Sequence, residues 1–114
     1  MRSPMVVMLI GLGAAGLGLT AGVAPARANC YELIGCTNKD YYQVAQLKQM
    51  SCQILWEVRN QIYKENGYCF HTQKAIEAFG NAGCKYDDAG QVPLNDAERH
   101  NISAIKKTER KNGC

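Results

Sequence analysis

The sequence predicts a mainly α fold, a small disulfide-stapled helical domain in which a central helix packs against an antiparallel C-terminal helix. Three observations lead there. All six cysteines lie beyond residue 28 of a 114-residue chain, an even number concentrated in a short stretch, as in cross-linked mini-domains. Ile54, Leu55, Val58 and Ile62 fall within an arc of about 100° at helical spacing, the apolar stripe of an amphipathic helix. Asn95-Asp96-Ala97-Glu98 has the capping-box pattern that opens a second helix.

Taken in order, residues 1–28 read as a secretory signal peptide. Arg2 precedes an apolar run from Met5 to Ala24, and Ala26-Arg27-Ala28 is a small-x-small cleavage site. The competing reading is an uncleaved membrane anchor, since twenty largely apolar residues just span a bilayer. Five glycines in the run and the adjacent cleavage site argue against it, and Asn29 before Cys30 argues against lipidation. Without Arg2 and Arg27, 11 of the 13 basic residues remain against 10 acidic ones, so the net charge of +3 falls to about +1. That balance disfavours a nucleic-acid binder. The chain is also too short for a barrel enzyme or a dinucleotide-binding domain.

Residues 29–50 show no sustained period and read as an N-terminal cysteine-containing arm rather than a core element, with Tyr31, Tyr41 and Tyr42 half-exposed on it. Residues 51–114 form the expected helical domain. Ser51 can cap the central helix and Gly67 can end it in a left-handed conformation. An adjoining arc of the same helix carries Cys52, Trp56, Arg59 and Tyr63, so two faces are expected to be buried. Tyr68-Cys69-Phe70 reads as a short extended piece. Thr72 can cap a brief helix through Ala75, Ile76 and Phe79, and Gly80 to Gly83 stop it. Cys84 to Pro93 is turn-rich, and the last helix runs from Asp96 to about Lys111 with Ile102 and Ile105 inward.

So few large apolar residues leave a margin of only a few kcal/mol, and disulfides worth roughly 2 to 4 kcal/mol each would make up the deficit. Six cysteines admit fifteen pairings, and sequence alone does not choose among them. Helix geometry favours Cys52 with Cys114, because antiparallel helices of about fifteen residues bring those positions level. Cys69 and Cys84 flank the short helix, which leaves Cys30 with Cys36.

The run from Leu55 to Phe70 resembles the bacterial extracytoplasmic YARHG domain, whose signature is Leu-x-x-x-Arg-Asn-x-Ile-Tyr-Ala-Arg-His-Gly-Tyr-x-Phe. Here Leu55, Arg59, Asn60, Ile62, Tyr63, Gly67, Tyr68 and Phe70 occupy its places, and Phe79, Tyr86, Leu94, Glu98, Asn101, Ile102 and Glu109 continue the pattern. The resemblance covers residues 51–110. Lys64-Glu65-Asn66 stand where the signature has Ala-Arg-His, so no role that needs that Arg or His carries over. The cysteine framework and the arm look like features of a subgroup. The resemblance implies an exported bacterial domain, periplasmic or secreted, without established catalytic residues.

Charges on inward helix faces need partners. Arg59 sits ~10 Å along from Cys52, and Glu109 ~7.5 Å back from Cys114, so an antiparallel pair places them level. An Arg59–Glu109 ion pair is expected, with Glu98 as the alternative partner or held by its cap. His71 near Cys69 suggests no metal site, because structural zinc wants four regularly spaced ligands and reduced thiols. No nucleophile with a positioned base is legible, and no cofactor motif is present. A two-carboxylate mechanism could be drawn with Glu57, Glu65, Glu77 or Glu98, a freedom that speaks against it. Asn101-Ile102-Ser103 matches the glycosylation pattern but lies within a helix of a bacterial-type domain. Lys106, Lys107, Arg110 and Lys111 suit the negative end of a helix dipole, or an anionic wall polymer or lipid headgroup.

The expected function is a non-catalytic domain that binds an envelope protein or peptidoglycan, with the aromatic arm as first candidate surface. The rivals are an inhibitor of an exported hydrolase acting through a loop at Asp87–Val92, and a small lytic enzyme using Glu57 or Glu65.

Overall fold

The computed structural model describes residues 29–114, so the expected signal peptide lies outside the described residues. A two-residue antiparallel pair, β1 (Cys30–Tyr31) with β2 (Gly35–Cys36), comes first. A one-turn helix α1 (Val44–Leu47) follows, then α2 (Cys52–Glu65), α3 (Gln73–Phe79) and α4 (Asp96–Lys111), with a 3-10 turn at Ala89–Gln91 before the last helix.

Each main helix begins where a side chain satisfies its free amides. The Ser51 hydroxyl accepts from the Ile54 N–H at 3.1 Å and the Thr72 hydroxyl from the Ala75 N–H at 3.3 Å. At α4 the box is complete: Asn95 Oδ1 accepts from the Glu98 N–H at 2.8 Å, and Glu98 Oε1 accepts from the Asn95 N–H at 2.9 Å. Beyond α2, Gly67 turns the chain with φ of +91°, and a Cβ there would press on the Tyr86 ring at 3.3 Å. The reversed chain then runs beside Tyr86, where Cys69 N–H donates to the Tyr86 carbonyl at 2.8 Å.

Three cross-links set α2 antiparallel to α4. The Cys52–Cys114 disulfide lies at one end, Arg59 meets Glu109 further in, and Asn66 Nδ2 reaches Glu98 Oε2 at 2.9 Å at the other end. Asn66 thus uses the position of the signature's His to tie the C-terminus of one helix to the N-terminus of the other. Disulfides also join Cys30 to Cys36 and Cys69 to Cys84.

The arm expected at residues 29–50 is corrected here. Ile34, Tyr42 and Leu47 belong to the same core as Leu55, Val58, Ile62, Ile102 and Ile105, and Leu47 is fully buried. A two-residue strand pair, a tight turn and a single helical turn insert side chains at irregular intervals, which leaves no period to detect. Gly35 is required in that turn, because its φ is +93° and a Cβ would lie 2.6 Å from Asp40 Oδ2. Tyr42, expected half-exposed, is buried; Tyr31 is half-buried and Tyr41 is 52% exposed. Ile54 and Ile76, expected inward, are exposed. With residues 34–47 covering α4, the core needs only Leu55, Val58 and Ile62 from α2.

Candidate functional site

Of the second arc of α2, expected to be buried, only Tyr63 packs against the core. Cys52, Trp56 and Arg59 line a groove of about 520 Å³ whose opposite wall is Lys106, Glu109, Arg110 and Cys114. Lys74 of α3 closes one side. The volume falls in the range of small-ligand sites. Trp56 is half-buried and tilts against Phe79 at 5.7 Å between ring centroids; Phe79 stacks on Phe70 at 5.2 Å. Phe70 in turn meets Tyr68 edge-on at 5.2 Å, and Tyr68 meets Tyr63 at 5.4 Å. This aromatic row holds α3 on α2 and fixes the indole in place.

The structure brings Arg59 and Glu109 together in a two-point pair, Nε to Oε1 at 2.8 Å and an Nη to Oε2 at 3.0 Å. Their side chains are 21% and 14% exposed. Glu98, the alternative partner, is taken by its cap and by Asn66. The pair neutralises the one acidic side chain in the groove's lining. Lys74, Lys106 and Arg110 are exposed, and among the described residues the only other ion pair is Arg99 with Asp96. Lys74 Nζ instead lies 4.1 Å from the Trp56 ring centroid and donates to Gln53 Oε1 at 3.2 Å. The concavity is therefore aromatic on its floor and cationic on its rim. Next to it, burial makes the Tyr63 phenol harder to ionise and pushes its pKa above the ordinary value, an effect opposed by the Arg59 charge.

A second hollow of about 470 Å³ lies beside α1, with Tyr41, Val44, His100 and Lys107 in its walls. Tyr41 and His100 are 4.9 Å apart between ring centroids. Tyr41, one of the three tyrosines expected on a binding surface, is the one that is open.

The remaining sequence candidates are dispersed. Glu57, Glu65 and Glu77 are exposed and each accepts from a glutamine one turn earlier, Gln53, Gln61 and Gln73. His71 Nε2 pairs with the Asp87 carbonyl at 2.8 Å and His100 Nε2 with the Tyr42 carbonyl at 3.3 Å. Among the described residues no three His, Cys, Asp or Glu side chains cluster to hold a metal ion, and the six cysteines are all bonded. Asn60 is buried and donates to the Trp56 carbonyl at 2.9 Å. Leu55, Ile62, Phe70 and Ile102 are buried apolar residues.

Sequence reasoning missed Trp56 and Lys74 as lining residues. The available signal was spacing: Trp56 precedes Arg59 by three positions, while Lys106 stands three before Glu109 and four before Arg110 on the facing helix.

The comparisons agree with the residue pattern. The YARHG domain model matches residues 30–110, a stretch that begins at Cys30 and so takes in the segment before α2. No curated protein and no solved structure is significantly similar to the chain. The match covers well over half of the sequence, and the chain belongs to the YARHG domain family.

Proposed function

We propose that this domain is a non-catalytic binding module of the bacterial periplasm that holds cell-wall glycan in the Trp56 groove. The family is extracytoplasmic, and three disulfides belong to an oxidising compartment. Among the described residues no helix is long and apolar enough to cross a membrane. The observation that carries the reading is the groove itself, a preformed concavity floored by an indole and braced by the Cys52–Cys114 disulfide. A flat indole face packs against the C–H face of a sugar ring, and a rigid scaffold loses little entropy when it does so. Its one acidic side chain, Glu109, is held by Arg59 and serves position rather than proton transfer.

The test is co-sedimentation with isolated peptidoglycan. Wild-type protein is expected in the pellet without loss of wall turbidity, and Trp56→Ala is expected to reduce pelleting about tenfold, the equivalent of ~1.4 kcal/mol. Wild-type protein that stays in the supernatant overturns the reading.

One observation favours a second reading, inhibition of an exported hydrolase. The exposed Ala89–Gln91 turn is ordered by the Asp88 carboxylate, which accepts from the Gly90 N–H at 2.9 Å, and His71 Nε2 pairs with the Asp87 carbonyl at its base at 2.8 Å. Recovery of one hydrolase from periplasmic extract, lost on deletion of that turn, would replace glycan binding with inhibition.

A further inference from the structure

Resting on the reading of the groove as a wall-binding site, we propose that it selects anionic wall fragments, saccharide–peptides that carry at least two free carboxylates. Three cations from two helices converge on one concavity: Lys74 on α3, and Lys106 and Arg110 one turn apart on α4. None has a carboxylate partner among the described residues. The only acidic side chain in the lining, Glu109, is already matched by Arg59, so Lys74, Lys106 and Arg110 stand in surplus, offset in part by the α-carboxylate of Cys114.

The helix dipole accounts for basic residues in the last turns of α4 but not for this arrangement. It is indifferent to which face they occupy, and Lys107, equally near the helix end, lines the Tyr41 hollow instead. It has no bearing at all on Lys74, which belongs to another helix and reaches over the Trp56 ring. Like charges gathered around a half-buried indole repel one another, and a ligand with two negative groups relieves that repulsion from both walls at once. Their placement on different helices around one groove allows two-point recognition. One carboxylate meets Lys106 and Arg110, the second meets Lys74, and the ring between them lies on Trp56. A neutral glycan would use the indole alone.

Trp56 is the only tryptophan in the chain, so its emission reports occupancy of this groove directly. Mature protein is titrated with soluble muropeptide bearing free carboxylates, with the same fragment after amidation, and with a neutral chitooligosaccharide. The free-carboxylate fragment is expected to bind about tenfold or more tighter than either control, and to weaken several-fold between low salt and about 0.3 M salt. Lys106→Gln with Arg110→Gln, both at exposed positions, is expected to lose about tenfold in affinity with the melting temperature retained. Amidated or neutral fragments that bind within about twofold of the acidic one overturn the proposal, as does tighter binding of a glycerol-phosphate oligomer. Sedimentation separates the two levels. Undiminished pelleting of the double variant with intact peptidoglycan overturns the anion selection and leaves wall binding standing; failure of the wild type to pellet removes both.

Discussion

The side-chain amide of Asn101 holds the backbone of Tyr42: its Oδ1 accepts from the Tyr42 N–H at 2.8 Å, within a fully buried site. The same amide donates to the carbonyls of Thr37, at 3.0 Å, and Asp40, at 2.8 Å. One residue of α4 thereby satisfies three backbone groups of an irregular loop that has no ladder of its own. Asn101→Ala leaves those groups unpaired, at about 1–3 kcal/mol each, and is expected to cost about 3 kcal/mol or more in total. Asn101→Asp keeps the shape but puts an acceptor oxygen where the amide donated to two carbonyls, so it should be no better. Urea midpoints of the two variants, both well below wild type, check this.

Arg59 and Glu109 form a two-point pair that is mostly shielded from solvent, so its worth lies between that of exposed and buried pairs. Arg59→Ala is expected to lose about 1–3 kcal/mol, because Glu109 keeps its charge without a partner. Removal of both side chains should cost less than the sum of the single changes. Arg59→Lys should recover only part of the loss, since an ammonium does not reproduce the fork. A double-mutant cycle measured by thermal unfolding, with no coupling found, would show that the pair contributes nothing.

The three disulfides close loops of very different length, with sequence separations of 62, 15 and 6 residues. The chain-entropy relation gives about 4, about 3 and about 2 kcal/mol for them in that order. Cys52→Ser with Cys114→Ser is expected to be the most damaging pair and Cys30→Ser with Cys36→Ser the least. Chemical denaturation of the three double variants tests the order. Trp56 emission should shift in the first and not in the last, because only the first bridge lines the groove.

Alkaline pH should destabilise the fold through Tyr42. Burial, with the neighbouring Tyr31 and Asp40 adding to it, raises the pKa of this phenol far above its ordinary value of 10. A phenol harder to ionise when folded contributes stability that is complete below the unfolded value. That contribution drains away as pH climbs above about 10 toward the folded value. Tyr31 and Tyr63 shift in the same direction. Tyr42→Phe loses only a 3.4 Å hydrogen bond to the Gly35 carbonyl, so it should cost no more than ~1 kcal/mol at neutral pH. Its urea midpoint should then fall less steeply than wild type above pH ~10.

The helices were legible because their signals are local. Ser51, Thr72 and the Asn95/Glu98 box each act within one turn, and Gly67 and Gly80 end helices by backbone conformation. The segment before α2 was not legible, since Ile34, Tyr42 and Leu47 are buried by contact with α4, some sixty positions away in the chain. The exposure of Ile54 has the same origin: the helix stripe is visible in sequence, but which edge of it meets the core depends on what else covers α4.

By itself, the amino-acid sequence determined the main helices, their caps and the kind of compartment in which six cysteines can staple so small a core. Those follow from interactions between residues a few positions apart and from bulk composition. Only the tertiary structure decided that Asn101 shapes the loop at Tyr42, and that Trp56, Lys74, Lys106 and Arg110 share one groove. Such relationships depend on how far and at what angle α2, α3 and α4 approach, and no periodicity along a single helix records the position of its neighbour.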